Sequence, residues 1–334
     1  MKRLSKGLLT QALFFCALIS SSHSFAVPGS QPEAGKHADS VPPNELGRFL
    51  VLEYHLIQPE ESRWGRSVRD FRQDLELLYA KGFRPVSISE VIDGRINLAR
   101  GRKPVLLTFD DSSPGQFRIV VEDGKKQLDR DCAVGMLMEF HRLHPDFDPK
   151  AVFYVLPEAK QPHKLFGQPE YEIEKLRFLA EHGFEIGNHT LWHANLGKYD
   201  DTTVQKQLAL SVEAVQQRVP EYNVRSLALP FGVYPKDLRL AVQGEFKSRR
   251  YHHEAILKVA GGAAYSPFNF SCDLLHIPRI QVPGPDLQYW LSYFEKNPGA
   301  VYISDGQPDI ITFPKALQSR FCASRFKNLK VVSY

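Results

Sequence analysis

From about residue 49 onward, short contiguous apolar runs alternate with stretches where apolar side chains recur every three or four positions. The runs predict strands at Phe49–Glu53, Val86–Ile88, Val105–Phe109, Val152–Val155, Phe184–Ile186, Arg225–Leu229, Ala255–Val259, Val301–Ile303 and Lys330–Val332. Val68, Phe71, Leu75 and Leu78 mark a helix that Gly82 ends. The same spacing predicts helices over Ala133–Leu143, Ile173–His182, Thr203–Val219 and Leu287–Phe294. Repeated strand–helix units with near-continuous apolar strands imply a parallel sheet covered on its outer face. A barrel and an open doubly wound sheet both satisfy that pattern. The chain has neither GxGxxG nor GxxxxGK[ST], which weakens the nucleotide-binding versions of the open sheet.

The first residues follow a different pattern. Lys2, Arg3 and Lys6 precede an apolar run from Leu8 to Ile19, and Ser24-Phe25-Ala26 offers small residues for a peptidase. Residues 1–26 are therefore expected to be a secretory signal peptide, shorter than the ~20 apolar residues a spanning helix needs. Residues 27–44, rich in Pro, Gly, Ser and Ala, read as a disordered lead-in, and 45–334 as one main domain. No stable membrane span is expected after cleavage, and the protein is expected to be exported, periplasmic or secreted. The net charge of +4 comes without a dense Lys/Arg block, so nucleic acid is not an expected partner. Cys132, Cys272 and Cys322 would remain after cleavage, an odd set without zinc-site spacing that receives no role.

Three segments carry candidate chemistry. Leu106–Ser112 delivers adjacent carboxylates, Asp110 and Asp111, to the end of a buried strand, where a cation would relieve their repulsion. Alone, the doublet is more often a solvated turn with an Asp capping the next helix. Asn188–His193 follows another strand, and His189 and His193, four apart, would meet on one side of a helical turn with metal-gripping spacing. An isolated HxxxH is more often an ordinary surface turn. In Leu229–Tyr234, Pro230 and Gly232 make a rigid turn that can present main-chain N–H groups, though such turns are common. The coincidence of all three at strand ends matters most, because a (β/α) barrel builds its active site there. Two imidazoles and one carboxylate would leave open positions on a divalent ion, and zinc is the simplest match.

Thr108–Asp111 (TFDD), His189–His193 (HTLWH) and Leu229–Gly232, in this order, resemble the NodB-homology polysaccharide deacetylases, carbohydrate esterase family 4. Val51–His55 (VLEYH) resembles a stretch upstream of these motifs in many such proteins. The resemblance runs from about Leu50 to the C-terminus and implies an α/β fold, a distorted (β/α) barrel with fewer than eight repeats. It implies Asp110 as general base and Asp111, His189 and His193 as metal ligands. Thr190 would support the histidine loop by hydrogen bonding. Pro230, Phe231 and Gly232 would line the substrate groove, with the Phe231 N–H as an oxyanion donor. The implied reaction removes acetyl groups, N-acetyl before O-acetyl, from an acetylated glycan.

Two departures accompany the resemblance. Ala228 stands where the family's third motif often carries an Arg that orients the base, leaving Arg225 or Arg279 to reach in from elsewhere. The expected late strand Val301–Ile303 is followed by no His to serve as general acid. His276 is a weak substitute, and His252, His253 and His276 read better as surface or structural residues. These departures motivate an alternative: a glycan-binding or scaffold protein that keeps the barrel but has weakened catalysis. Two His and a carboxylate also suit a non-haem iron oxygenase, which the second Asp and the strand–helix alternation disfavour.

Overall fold

A computed structural model describes residues 41–334; the expected signal peptide and all but residues 41–44 of the lead-in lie outside the described residues. Asn44, at the end of that lead-in, is already buried and bridges Ile303. Among the described residues, no helix is long and apolar enough to cross a membrane.

The fold is a curled, mainly parallel sheet with helices on its outer face. Across the sheet the order is Ala255–Leu257, Ser226–Ala228, Glu185–Asn188, Val152–Val155, Lys103–Phe109, Arg48–Tyr54, Ala264–Tyr265. Phe83–Pro85 also pairs with Lys103–Phe109, and Ile280–Gln281 pairs in parallel with Arg48–Tyr54. The segment 277–281 joins the sheet's two sides: Ile277 bridges Leu257, and Ile280 and Gln281 lie against Leu52 and Glu53.

Period-two alternation sorts the strand side chains into two cores. Leu50, Leu52, Leu107, Phe109, Phe153, Ile186 and Leu227 pack outward against helical residues such as Phe71, Leu75, Leu137 and Leu208. Phe49, Val51, Leu106, Tyr154, Ala228, Leu257 and Ile277 face the interior. Each buried Val, Leu, Ile or Phe among them contributes about 1.5–3 kcal/mol relative to exposure. Gly187 belongs to the interior register, where a Cβ would collide with the Tyr154 ring.

Most expected elements form. The helix Val68–Ala80 starts where the Ser67 side chain accepts the Asp70 amide, and Ala133–Leu143 has the expected bounds. Two strand expectations need correcting. Val86–Ile88 is not a strand: pairing stops at Pro85, and Ser87 caps the helix Ile88–Asp93 in a reciprocal bond with Glu90. Val301–Ile303 makes only isolated bridges, to Arg48 and Asn44, so it is not the barrel's late strand. That place is taken by 277–281, whose Pro278 and Arg279 mask any apolar run.

Candidate active site

The interior register leads to the site. Continuing Phe49 and Val51 by twos brings Glu53 and then His55 to the C-terminal mouth. Continuing Leu106 brings Thr108 and Asp110 beside them, with Thr108 in register with Glu53. Gln116, fully buried, ties the two strand ends by donating its amide to the carbonyls of both His55 and Asp110. From the closing segment, Arg279 extends across the barrel, 1 % exposed. Its Nε donates to the Lys258 carbonyl (2.6 Å), which fixes the fork. Its Nη1 and Nη2 donate to Asp110 Oδ1 (2.8 Å) and Oδ2 (2.7 Å), and Nη1 also donates to Thr108 Oγ1 (3.1 Å). Burial alone would raise the Asp110 carboxyl, but Arg279, with His189 beyond it, holds it below the ordinary carboxylate range. The expected substitute for the missing third-motif Arg is thus Arg279. Arg225 sits at the start of its strand, at the opposite end of the barrel, pairing with Glu254 and Asp93.

Asp111 reaches the same centre by a turn in the chain. Asp111 (φ 74°) and Ser112 (φ 42°) have left-handed backbone, as do Thr190, His193 and Phe231 (φ 67°, 66° and 61°) on the other two loops. Such backbone costs non-glycine residues free energy and collects where function requires it. Ser112 is held by donating to the His163 carbonyl (2.7 Å) and accepting the Leu156 amide (3.1 Å). His189 and His193 do not lie on the helical turn expected for them. Asn188 Oδ1 accepts the Thr190 amide (2.8 Å), Thr190 Oγ1 accepts the Ala194 amide (2.9 Å), and the loop folds tightly enough to bring both rings to one side. Asn188 Nδ2 is anchored in turn on the Leu208 carbonyl and on Nε2 of the buried His253, whose Nδ1 donates to the Ala241 carbonyl. His253 is therefore structural, as expected, and burial lowers its pKa to about 4. His276 lies on the surface, its Nδ1 2.8 Å from Asp273.

Asp111 Oδ1 is 3.3 Å from His189 Nε2 and 3.4 Å from His193 Nε2. His189 Nδ1 lies 2.8 Å from the Ala228 carbonyl, which can only accept, so that nitrogen carries a proton. In the neutral ring Nε2 is then a bare lone pair facing a carboxylate oxygen that is itself buried and without a hydrogen-bond partner. Two acceptors at this distance repel unless a proton or a cation lies between them. Burial alone would lower His189, but Asp110 and Asp111 outweigh it and raise its pKa in the metal-free protein. Burial and then His189 lower His193 to about 4, so this imidazole is neutral and its lone pair available at neutral pH. The trio Asp111, His189 and His193 fits a divalent ion by donor type and by convergence, and a cation would relieve the contact as a proton on His189 does.

Glu53 and His55 form the opposite wall. His55 Nε2 lies 3.5 Å from Glu53 Oε1, and Glu53 in turn is 3.4 Å from Arg279 Nη2. Glu53 is fully buried, and burial pushes its carboxyl up to about 8 despite Arg279. The third loop contributes Pro230, which is buried, Gly232 (φ 67°), and Phe231, whose exposed ring meets His193 edge-on with centroids 4.6 Å apart.

Residues 97–245 match the polysaccharide deacetylase family, and the match contains Asp110, Asp111, both histidines and the third loop. Over that stretch, a little under half of the chain, the protein is similar to polysaccharide deacetylases. A chitooligosaccharide deacetylase from Sinorhizobium fredii is 29% identical over 98 residues, covering 28% of this chain and 45% of that protein, so the match spans less than half of the relative's length. The fold is shared with a Streptococcus pyogenes deacetylase, PplD, solved with acetate (18% identity, 73% of this chain and 97% of that one, TM-score 0.53). It is shared also with IcaB from Ammonifex degensii (18% identity, 74% and 97% coverage, TM-score 0.51).

The site also holds Glu53 and His55, which motif reading left without a role, and Arg279, which it named only as one of two arginines that could reach in. The first two were legible in principle, because a strand ending Glu-Tyr-His places its two polar residues on one face. Arg279 could not be chosen over Arg225, because no apolar run marks the segment that carries it.

Proposed function

We propose that the protein hydrolyses acetyl groups, N-acetyl foremost, from an acetylated glycan, using a divalent ion held by Asp111, His189 and His193. The observation that carries the reading is the convergence of Asp111 Oδ1 with the two histidines, placed directly beside an Asp110 clamped by Arg279. The ion, zinc being the simplest match to these donors, would supply Lewis acidity to the acetyl carbonyl and the attacking water.

The chain's own residues supply the proton transfers. Asp110 takes the proton of the attacking water; Arg279 keeps it ionised and aimed, and each carboxylate oxygen retains a lone pair beyond its bond to the guanidinium. The Phe231 amide, on a left-handed turn beside His193, donates to the developing oxyanion. An amine departs only when protonated, and His55 stands where it can donate that proton, held by Glu53. Arg279 and His55 thus fill both departures that had favoured a non-catalytic scaffold. The reading places the reaction outside the cytoplasm, supported by the basic then apolar start and Ser24-Phe25-Ala26.

The test is acetate release across a panel of acetylated glycans, together with a small acetyl ester. Wild-type protein should release acetate from at least one glycan. His55→Gln should lower kcat on N-acetyl substrate by about 10²–10⁴-fold, and on the ester by much less, because an alkoxide leaves with less need of a proton. Equal losses on both would remove His55 as the acid, and no acetate from any substrate would remove the enzyme reading.

A further inference from the structure

The end of the barrel opposite the reacting groups carries positive charge that the chemistry above does not use. Residues 94–103 contribute Arg95, Arg100, Arg102 and Lys103 and no Asp or Glu. Residues 310–334 contribute Lys315, Arg320, Arg325, Lys327 and Lys330, again with no Asp or Glu. The fold brings the two segments together. Arg325 Nη2 donates to the Ile92 carbonyl (3.1 Å), and a Cβ on Gly94 would collide with the Phe326 ring. Arg95, Arg325 and Lys327 line one cavity of about 370 Å³.

Both segments sit where strands begin. The strand Lys103–Phe109 starts just after Arg100 and delivers Asp110 to the mouth at its other end. Tyr334 donates to the Pro43 carbonyl (3.0 Å), and Asn269, next to Phe270, donates to the Leu46 carbonyl (2.9 Å). Both acceptors lie just before the strand Arg48–Tyr54.

Seven of these cations are exposed, Arg102 and Lys103 being partly covered. Among the described residues none of the seven pairs with a carboxylate, whereas Arg66, Arg142, Arg218 and Arg249 elsewhere each hold one. Of the acids on adjoining segments, Asp93 is held by Arg225 and Asp309 is exposed. Like charges gathered this way repel one another until an anion lies against them.

Apolar side chains stand exposed among the cations. Phe270 (61% exposed) donates its amide to the Arg320 carbonyl (2.8 Å), and the Tyr334 carbonyl (side chain 51% exposed) accepts the Lys315 amide (2.7 Å). Val331 and Val332, also exposed, follow Lys330. An anionic polymer would need only the charges. Cations interleaved with exposed rings and aliphatic side chains suit a bilayer surface, where the headgroups neutralise the charge and the apolar groups enter the interface.

We propose that this face docks the protein on an anionic phospholipid bilayer and leaves the mouth turned away from the lipid. The docking is peripheral and does not depend on whether the protein releases acetate.

The test is co-sedimentation of the purified exported protein with phosphatidylcholine vesicles, with and without about 30% phosphatidylglycerol. Binding to the anionic vesicles should be at least about tenfold tighter, and should weaken at least about tenfold between about 0.1 M and 0.5 M salt. Each cation near the surface is worth about fivefold, so Arg325→Gln/Lys327→Gln/Lys330→Gln should weaken binding about 100-fold. Lys125→Gln/Lys160→Gln/Lys236→Gln, which removes the same charge from exposed positions elsewhere, should weaken it by less than about fivefold. Phe270→Ala/Tyr334→Ala should weaken it about tenfold. Arg95→Gln/Arg100→Gln, on the other segment, should weaken it about 25-fold and reads the same face if the triple variant has a lowered thermal midpoint. Equal binding to both vesicle types, or equal losses in the two triple variants, would overturn the proposal. So would polyphosphate bound as tightly as vesicles by a protein indifferent to Phe270→Ala/Tyr334→Ala, which would assign the face to an anionic polymer.

Discussion

Asp110→Asn lowers the rate of acetate release by about 10²–10⁴-fold, the loss expected when a general base is removed. The ion should remain bound, because Asp110 is not one of the three converging donors. The amide can still accept one bond from Arg279, but its NH₂ group must face the other guanidinium N–H. Some loss of stability should therefore accompany the loss of turnover. Steady-state kinetics, metal content and thermal midpoint on one preparation separate these effects. A variant that loses its metal together with its activity would show Asp110 to be a ligand, and one that keeps full activity would show it to be neither ligand nor base.

Arg279→Met should produce the largest stability change in the chain. It leaves Asp110 buried without its counter-charge, beside a Glu53 that burial already raises to about 8. Breaking a buried pair by removing one partner costs about 3–5 kcal/mol. The sign with pH follows from the direction of the Asp110 shift. In wild type the Asp110 pKa is depressed, so its contribution to stability is present above the unfolded value and is lost as pH falls through the folded one. Without Arg279, burial dominates, the folded pKa rises above the unfolded value, and the variant should be relatively more stable in acid. The acid limb of kcat/KM should move to higher pH for the same reason. Urea unfolding at acid and neutral pH, with the pH–rate profile, measures both. Wild-type stability with an unmoved acid limb would show that the guanidinium neither supports nor tunes the base.

The outward-packed half of the fold was readable in the sequence because its strands are contiguous apolar runs and its helices carry regular apolar spacing. The closing segment was not readable. Ile277-Pro278-Arg279-Ile280 resembles a loop in isolation and becomes a barrel wall only by bridging Leu257 on one side and Leu52 on the other. The same blindness misplaced the late strand at Val301–Ile303, whose apolar residues instead make isolated bridges to Asn44 and Arg48.

Within the site, the carboxylate doublet and the histidine pair were legible as residue types at telling positions. Their convergence was expected from their place at strand ends, but the route to it was not, because it depends on left-handed backbone at Asp111, Thr190 and His193, which no spacing rule describes. The helical turn drawn for His189 and His193 had the correct outcome and the wrong geometry. Glu53 and His55 went unassigned because the apolar run ended the strand at Glu53, two residues before His55.

The central claim is that Asp111, His189 and His193 hold one divalent ion beside an ionised Asp110. It is tested most directly by stripping the protein with a chelator, dialysing it against zinc and counting ions per chain while acetate release is followed. The account predicts one ion per chain, turnover that disappears on stripping and returns on loading, and neither ion nor turnover in the His189→Ala/His193→Ala double variant. Full acetate release from the stripped protein, or an ion retained by the double variant, would contradict it.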